Sequence, residues 1–281
     1  MSNQRLSILC PSCRKLISTS ESKCPFCGTA KPGSWYKNNA WTRGLHDPNQ
    51  MIKAVIAVNA ALYILSILFN PKAAVLSLNP LTFLSPSDSS IMLLGATGLI
   101  PIQDYHRYWT IISANYLHGG ILHILLNMVA FRQLALIVSR EFGLHRMFAI
   151  YTLSGVFGYY ISYLRGIDWT IGASASVCGL VGAVIYYGKS RGGVYGRALY
   201  QQIAVWVVFL FIIGMVPGLN INNWAHGGGI VAGIGLGFLL GYQEKRKENI
   251  FHRLLAGHCA FATVLVLIWA VSSALYYKLM G

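Results

Sequence analysis

The sequence NWAHGGGIVAGIGLGFLLG, residues 223–241, decides the fold, because it is an apolar run patterned with small residues. From Gly229 to Gly241 a glycine recurs at every fourth position, which places these glycines on one face of a helix. Inside a membrane, such a stripe lets two helices pack with their backbones very close together. The pattern therefore predicts a membrane helix in tight contact with a neighbour, with His226 near its start.

The composition of the whole chain supports a membrane location. Only 11% of the residues are charged and the mean hydropathy is +0.52, whereas about a quarter of the residues are charged in a soluble domain. The formal net charge of +14 is compatible with nucleic-acid binding. The basic residues form no single cluster, however, and lie between apolar runs, where membrane topology uses them. We therefore expect a lipid bilayer as partner and no nucleic acid.

Seven apolar segments are predicted to cross the bilayer, a task that takes about 17–25 residues. They lie near 51–69, 119–138, 146–164, 174–188, 199–216, 226–243 and 254–277. The fourth is short, and its bounds depend on flanking glycines. The loop before the second contains an apolar patch at 91–102, which we expect to lie partly submerged against the bundle. The fold class is thus an all-α polytopic membrane protein, with its membrane domain at 51–281.

The distribution of basic residues predicts the orientation of this domain. Of the 22 Lys and Arg residues, 18 fall on the side that carries the N-terminus. The other side receives Lys72, Arg107, Arg165 and Lys278. The positive-inside rule then places the N-terminus in the cytoplasm and the C-terminus on the opposite side. The second, fourth and sixth segments would all begin at the outer face, so their first turns would share one depth.

Polar residues gather in those three first turns. They are His118, His123 and Asn127 in the second segment, Ser174 in the fourth and His226 in the sixth. A polar side chain in hydrocarbon is costly without a partner or water, so this set suggests a shared, water-accessible cavity. Alternatively, each residue forms hydrogen bonds that hold helices together, as Ser, Asn and His all do.

The start of a helix is a favourable place for a serine nucleophile, because the helix dipole and free backbone N–H groups stabilise a negative oxygen. Ser174 has this position, although it and Ser176 are also suitable helix N-caps. His226 would reach the Ser174 hydroxyl if its glycine stripe packs on the small residues of the fourth segment, and such a pair can form an activated nucleophile. His123 and Asn127, four residues apart, share one helix face and can aim two donors at one point. The small residues of the fourth segment are Ala175, Gly179, Gly182 and Ala183.

Together these motifs resemble the signatures of the rhomboid intramembrane proteases, over the chain from roughly residue 50 onward. HGGILHILLN at 118–127 resembles the family's His-x4-His-x3-Asn, and Gly-Ala-Ser at 172–174 resembles its Gly-x-Ser. Ala-His at 225–226, followed by small residues, resembles the motif of its sixth helix. The resemblance implies a rhomboid-like bundle of six core transmembrane helices, to which the segment at 254–277 adds a C-terminal seventh.

The resemblance also implies an activity and a role for each polar residue. Ser174 and His226 would form a catalytic dyad without a carboxylate and without a cofactor. His123, Asn127 and the backbone N–H of Ser174 would form the oxyanion hole, and His118 would have a structural or water-ordering role. The protein would be a serine endopeptidase whose substrates are membrane proteins cut in or near a transmembrane segment.

Two positions depart from the family's pattern, which usually has a glycine after the serine and an aromatic residue four positions after it, beneath the catalytic histidine. Here they are Ala175, which adds a methyl group near the expected oxyanion hole, and Cys178, which removes a stacking surface. These departures motivate an alternative, a proteolytically inactive rhomboid-like protein that binds or escorts membrane clients. A transporter fits less well, because no internal repeat or pair of broken helices is evident. Cys178 and Cys259 are expected to be small buried hydrophobes rather than nucleophiles.

Residues 1–32 form a different kind of unit. Cys10 and Cys13 make one Cys-x2-Cys pair, and Cys24 and Cys27 make a second pair ten residues later. The spacing resembles a zinc ribbon and predicts a tetrahedral structural zinc site, on which the folding of so small a unit would depend. Disulfides are the alternative, but a cytoplasmic location disfavours them.

The surroundings of this N-terminal head also lead to predictions. The first 41 residues lack the apolar core of a secretory signal peptide, so we expect the head to stay on the side where it is made. Residues 33–50 are interpreted as a linker that approaches the membrane interface. A cytoplasmic protein is the expected partner of the head, with nucleic-acid binding and structural capping as alternatives.

Overall fold

The structure is a computed structural model that describes residues 7–11, 13, 15–34, 47–70, 83–214 and 221–280, the side chains of residues 209, 211 and 213 excepted. The chain divides into two compact units, Met1–Lys53 and Ala54–Gly281. Most of the predicted linker at 33–50 lies outside the described residues. The predicted bounds of the head, linker and membrane domain therefore remain predictions.

The head is built on a two-stranded antiparallel hairpin. Strand β1 (Ser7–Leu9) pairs with β2 (Leu16–Ser18), with Ile8 opposite Ile17. Its buried cluster consists of Cys10, Ile17 and Cys24, with Ile8 and Cys13 packed against it. Because this apolar core is so small, the cysteines themselves make up much of what the described head buries.

The rest of the described chain is helical. Nine α-helices are described: α1 Pro48–Phe69, α2 Asp88–Leu94, α3 Thr110–Ser113, α4 Ile121–Phe142, α5 Leu144–Leu164, α6 Ser174–Arg191, α7 Gly193–Ile213, α8 Asn223–Leu240 and α9 Ile250–Met280. A π-helical turn at Ile100–Asp104 and a 3-10 turn at Ala114–Tyr116 lie in the connection between α2 and α4. An all-α membrane fold is therefore confirmed.

Helices occupy all seven predicted segments, but their fitness to cross a membrane differs. By length and composition, α1, α4, α5 and α9 are long and apolar enough to span. Helices α6 and α8 are shorter, with only 18 residues each, and α6 carries several glycines and polar residues. The count of seven spans thus remains a prediction for α6, α7 and α8.

Capping interactions explain where two helices begin. Helix α8 starts three residues before the predicted position 226, because the side chain of Asn222 accepts a hydrogen bond from the Ala225 N–H at 3.0 Å. Helix α5 starts at Leu144 because Glu248, about a hundred residues later, accepts hydrogen bonds from the N–H groups of His145 at 2.8 Å and Arg146 at 3.0 Å. A carboxylate at this end also interacts favourably with the helix dipole.

The opposite end of α8 is held by a buried cation. Arg146 is fully buried, and its Nη1 donates to the carbonyl oxygens of Leu240 at 3.2 Å and Gly241 at 2.6 Å. These carbonyls have no partner within the helix, so the guanidinium caps the C-terminus of α8. Both ends of the helix that carries His226 are thereby fixed.

Helix α6 lies at the centre of the bundle. It packs against α5 and α8, and most of its side chains are buried. In the connection between α1 and α4, residues 71–82 lie outside the described part. The predicted apolar patch at 91–102 falls in α2 and the π-helical turn, where Ile91, Leu94 and Ile102 are buried. Its depth in a membrane remains a prediction.

Candidate active site

The side chains of Ser174 and His226 are in direct contact. Ser174 is the first residue of α6 and His226 lies in the first turn of α8. The Ser174 hydroxyl oxygen and the Nε2 atom of His226 are 2.8 Å apart, within hydrogen-bonding distance. Both residues are partly exposed. A hydroxyl and an imidazole therefore meet at the common end of two neighbouring helices, and both are accessible from outside the bundle.

Close packing of glycines produces this contact. A Cβ atom on Gly233 would lie closer than 3.0 Å to the carbonyl oxygen of Gly179, and one on Gly182 would lie equally close to the carbonyl oxygen of Ile230. Real Cβ atoms do not approach backbone so closely. Helices α6 and α8 therefore touch backbone to backbone, as the glycine spacing of residues 223–241 predicts.

No carboxylate joins the pair. The Nδ1 atom of His226 is buried and has no hydrogen-bond partner among the described residues. All eight acidic residues of the chain lie in the described part, and none contacts His226. Packing rather than an ion pair must therefore hold the imidazole in place.

His123 lies beside the serine. Its Nδ1 accepts a hydrogen bond from the Gly119 N–H at 3.3 Å, so in the neutral ring Nε2 carries the hydrogen. A Cβ atom on Gly172 would stand 2.8 Å from this Nε2 and 3.6 Å from the Ser174 hydroxyl oxygen. Both atoms thus lie within 4 Å of one point next to Gly172, and His123 presents a hydrogen-bond donor there.

Asn127 and His118 flank this donor on the same side of the site. The Nδ2 atom of Asn127 donates to the carbonyl oxygen of His123 at 2.9 Å, which leaves its second amide hydrogen uncommitted. The ring of His118 meets that of His123 edge-on, with centroids 5.0 Å apart. His118 is fully buried, and neither ring nitrogen has a hydrogen-bond partner among the described residues. The roles of both residues remain predictions.

Two residues that hold the site in place lie outside the sequence motifs and were not predicted. Tyr159 of α5 is buried, and its hydroxyl donates to the carbonyl oxygen of Gly172 at 2.5 Å. Asn115 accepts a hydrogen bond from the Ser176 hydroxyl at 2.8 Å. The first contact holds the backbone just before Ser174, and the second turns Ser176 away from His226. The sequence feature that could have revealed Tyr159 is a tyrosine within an apolar segment, because a buried hydroxyl needs a hydrogen-bond partner.

The two departures from the family's pattern occupy the seams between helices. Ala175 is fully buried in a cluster with Ala114, Tyr159 and Ala225. A Cβ atom on Gly158 of α5 would be 3.1 Å from the Ala175 methyl carbon. That methyl group therefore fills the seam between α5 and α8 rather than the expected oxyanion hole. Cys178 is also buried, beneath α8, as expected for a small hydrophobe.

In the head, the four cysteines come together as a group able to hold one metal ion. All four Sγ atoms lie within 4.8 Å of one another. Cys10 and Cys27 are 3.6 Å apart at sulfur, and Cys13 and Cys24 are 3.7 Å apart. A disulfide requires about 2.05 Å, so no disulfide joins these four cysteines.

The fold and this site define the class: a polytopic helical membrane protein with a serine and a histidine in contact at the ends of two tightly packed helices. The family model of the rhomboid domain matches residues 105–243. The chain belongs to the rhomboid family, as its three motifs predicted.

Several curated proteins are similar to this chain. RHOMBOID-like protein 5 of Arabidopsis thaliana is 34% identical over 163 residues, which cover 56% of this chain and 52% of that protein. Inactive RHOMBOID-like protein 8 of the same plant is 28% identical over 161 residues, 56% of this chain and 44% of that protein. Rhomboid-like protease 3 of Toxoplasma gondii is 28% identical over 193 residues, 64% of this chain and 70% of that protein. The chain spans about half the length of these plant relatives.

Proposed function

We propose that this chain is an intramembrane serine endopeptidase that cleaves transmembrane segments of membrane proteins, with Ser174 as nucleophile and His226 as base. The observation that carries the proposal is the 2.8 Å separation between the Ser174 hydroxyl oxygen and Nε2 of His226. A hydroxyl is a weak nucleophile unless a base accepts its proton, and an imidazole at this distance is such a base.

The chemistry follows from that contact. The Ser174 oxygen attacks the scissile carbonyl carbon while its proton passes to Nε2 of His226, which leaves a tetrahedral intermediate with a negative oxygen. The C–N bond then breaks, the departing amine takes the proton from Nε2, and an ester remains on Ser174. A water molecule attacks this ester with its proton accepted by Nε2, and the carboxyl product leaves as Ser174 regains a proton.

The negative oxygen of the tetrahedral intermediate needs hydrogen-bond donors. We assign them to Nε2–H of His123, to Asn127 and to the backbone N–H of Ser174, which is free because it lies in the first turn of α6. The closeness of His123 Nε2 and the Ser174 hydroxyl at Gly172 supports His123. Asn127 has one amide hydrogen uncommitted. His118, behind His123, would hold that ring or an ordered water in place.

A second candidate is a proteolytically inactive rhomboid-like protein that binds or escorts membrane clients. The observation that favours it is the similarity to the inactive plant relative, together with Ala175 and Cys178 in place of the usual residues. Against it, the Ala175 methyl group packs into a helix seam with Ala114, Tyr159 and Ala225, and the contact between Ser174 and His226 is present beside it. Proteolysis is therefore our conclusion.

Reconstitution with a panel of single-span membrane proteins tests the choice. Ser174→Ala should abolish cleavage, and Ser176→Ala should retain it, since the Ser176 hydroxyl is bonded to Asn115 instead. Loss of the Ser176 hydroxyl leaves a buried acceptor unpaired, so that variant should be less stable by roughly 1–3 kcal/mol. Two results together would support the second candidate. Folded wild-type protein would cut none of the panel, and the Ser174→Ala variant would still copurify with clients.

For the head, we propose that Cys10, Cys13, Cys24 and Cys27 hold a structural zinc ion. Zinc bound by four thiolates at about 2.3 Å sets neighbouring sulfurs about 3.8 Å apart, close to the 3.6 Å and 3.7 Å separations here. When bound, the metal would supply cross-links between the two Cys-x2-Cys turns that the small core does not provide.

We further propose that the N-terminus is cytoplasmic and the C-terminus lies on the opposite side. The observation is that, in the predicted topology, 18 of the 22 basic residues fall on the side that carries the N-terminus. Protease digestion of sealed right-side-out vesicles tests it: an epitope tag at the N-terminus should be protected, and one at the C-terminus should be removed.

A further inference from the structure

A cavity of about 400 Å³ lies away from Ser174 and His226, between the loop before α3 and the last turns of α9. Six of its lining residues carry the argument: Tyr105, Arg107 and Trp109 from the loop, and Trp269, Ser273 and Tyr277 from α9. It shares no residue with the candidate active site. Aromatic rings from the loop and from α9, together with the guanidinium of Arg107, therefore surround a space large enough for a small ligand.

The cation in this cavity, Arg107, has no acidic side chain as a partner in the described part of the chain. All eight acidic residues lie in the described part of the chain, and none is within 4.0 Å of Arg107. Its Nη1 donates to the carbonyl oxygen of Met92 at 3.2 Å. The guanidinium carbon lies 5.4 Å from the ring centroid of Tyr105 and 5.7 Å from that of Tyr277. These contacts fix the planar group but leave donors free for an anion.

The position of the cavity along the helices indicates the chemistry of the anion that it would bind. It lies where α9 ends, and nearby Lys278 donates to the carbonyl oxygen of Phe69, the last residue of α1. Tyr105, Tyr108 and Tyr277 are all more than half exposed. Tyrosine and tryptophan side chains concentrate at the membrane–water interface. These residues predict that the cavity lies at the depth of the lipid headgroups, where phosphodiesters are abundant.

An apolar surface continues from the cavity along α9. Trp269 at its edge is followed towards the middle of the helix by Ile268, Leu265 and Phe261, each with half or more of its surface exposed. A free anion would gain nothing from this surface, whereas the acyl chains of a phospholipid would cover it.

From these observations we infer that the cavity binds the phosphodiester of a phospholipid, with Arg107 as its cation and the acyl chains laid along α9. Arginine suits this role because its planar fork donates two parallel hydrogen bonds to phosphate oxygens. The tyrosine and tryptophan rings supply the amphipathic wall that an interfacial headgroup requires. The inference is independent of proteolysis.

Lipid titration of the delipidated full-length protein, followed by native mass spectrometry, tests the site. Dioleoylphosphatidylglycerol and dioleoylphosphatidylcholine, which share the phosphodiester, should both bind, and dioleoylglycerol, which lacks it, should not. Arg107→Gln should raise the Kd of both phospholipids by at least about tenfold, the loss expected for one charged contact. Arg165→Gln is the matched control, because the Arg165 guanidinium stacks on Trp224 at 4.0 Å without lining the cavity.

A second variant guards against misfolding of the first. Ser273→Phe fills the cavity from α9 and keeps the charge, and it should weaken phospholipid binding to a similar extent. Equal binding by wild type, Arg107→Gln and Ser273→Phe would overturn the proposal, as would tight binding of dioleoylglycerol. Displacement of the phospholipid by millimolar inorganic phosphate would show a site for a soluble anion and would also overturn it.

Discussion

A Cβ atom on Gly229 would lie closer than 3.0 Å to the backbone carbonyl oxygen of Ala175, an approach that real Cβ atoms do not make. Gly229 is less than one helical turn after His226, and Ala175 directly follows Ser174. The close backbone contact between α6 and α8 therefore extends to the turn next to the hydrogen bond between the two side chains. Helix separation and dyad geometry are coupled at this point.

Gly229→Ala should force α6 and α8 apart and weaken the contact between Ser174 and His226. We expect a loss of roughly 1–3 kcal/mol in stability from overpacking and a fall in proteolytic rate of about tenfold or more. Gly235→Ala is the matched control, because a Cβ on Gly235 meets nothing within 4 Å. Unfolding in detergent and cleavage in liposomes measure the two effects. Equal rates for the two variants would contradict the coupling.

His123→Ala should slow catalysis far more than it weakens substrate binding. The Nε2 atom of His123 lies beside Gly172, next to the Ser174 hydroxyl. If the proposed function is correct, its N–H donates to the negative oxygen only in the transition state. Removal of one such donor lowers kcat by about 10²–10³-fold.

Asn127→Ala provides the comparison for that experiment. Asn127 already donates one amide hydrogen to the carbonyl oxygen of His123. We therefore expect a smaller loss of kcat for Asn127→Ala than for His123→Ala. Steady-state kinetics that separate kcat from KM measure both variants. A large rise in KM with unchanged kcat for His123→Ala would assign that residue to substrate binding instead.

Glu248→Gln should destabilise the protein in a pH-dependent manner. Burial alone would raise the pKa of the Glu248 carboxyl, but hydrogen bonds from the His145 ring and the Arg146 N–H, with the charges of both residues, lower it below the ordinary 4.5. A lowered pKa stabilises the fold at pH values above about 4.5, and this stability is lost as the pH falls through the folded-state pKa.

Thermal unfolding in detergent measures this effect. The wild type should exceed Glu248→Gln by roughly 1–3 kcal/mol at about pH 7, and the difference should shrink below about pH 4.5. Glu244→Gln is the control, because Glu244 is exposed and pairs with Arg191 at the surface. It should cost less than about 1 kcal/mol. A difference for Glu248→Gln that stays constant with pH would refute the assignment.

Metal analysis of the full-length protein tests the zinc site. Freshly reduced wild type should contain about one equivalent of zinc, and Cys13→Ser or Cys24→Ser should lose it. The double variant Cys178→Ala, Cys259→Ala should keep it, because those cysteines are buried in α6 and α9, away from the head. Less than about half an equivalent in the wild type would exclude a structural site.

Features with a local repeat or a fixed spacing were predictable from the sequence. The glycines of residues 223–241 recur every fourth position, and a helix turns this spacing into one packing face. The contact between Ser174 and His226 was predictable because each residue lies at the start of a predicted segment, and both segments were predicted to start on the same side. The spacing within each Cys-x2-Cys pair likewise predicts that its two thiolates can bind one metal ion.

Contacts between residues far apart in the chain leave no such pattern. The bond from Tyr159 to Gly172 and the cap that Glu248 places on α5 join elements that only the completed fold brings together. The methyl group of Ala175 shows the same limit: its direction depends on α5, which approaches through Gly158. A motif defines which residues take part, whereas the direction of each side chain depends on its neighbours in space.

Covalent labelling with a fluorophosphonate tests the central claim most directly, because such a probe reacts with a serine only when a base activates it. Peptide mass spectrometry of the labelled, folded wild type should find one adduct on Ser174, and His226→Ala should lose it. Ser176→Ala should still be labelled. An unmodified Ser174 in folded protein, or an adduct that forms equally well in His226→Ala, would contradict a catalytic Ser174–His226 pair.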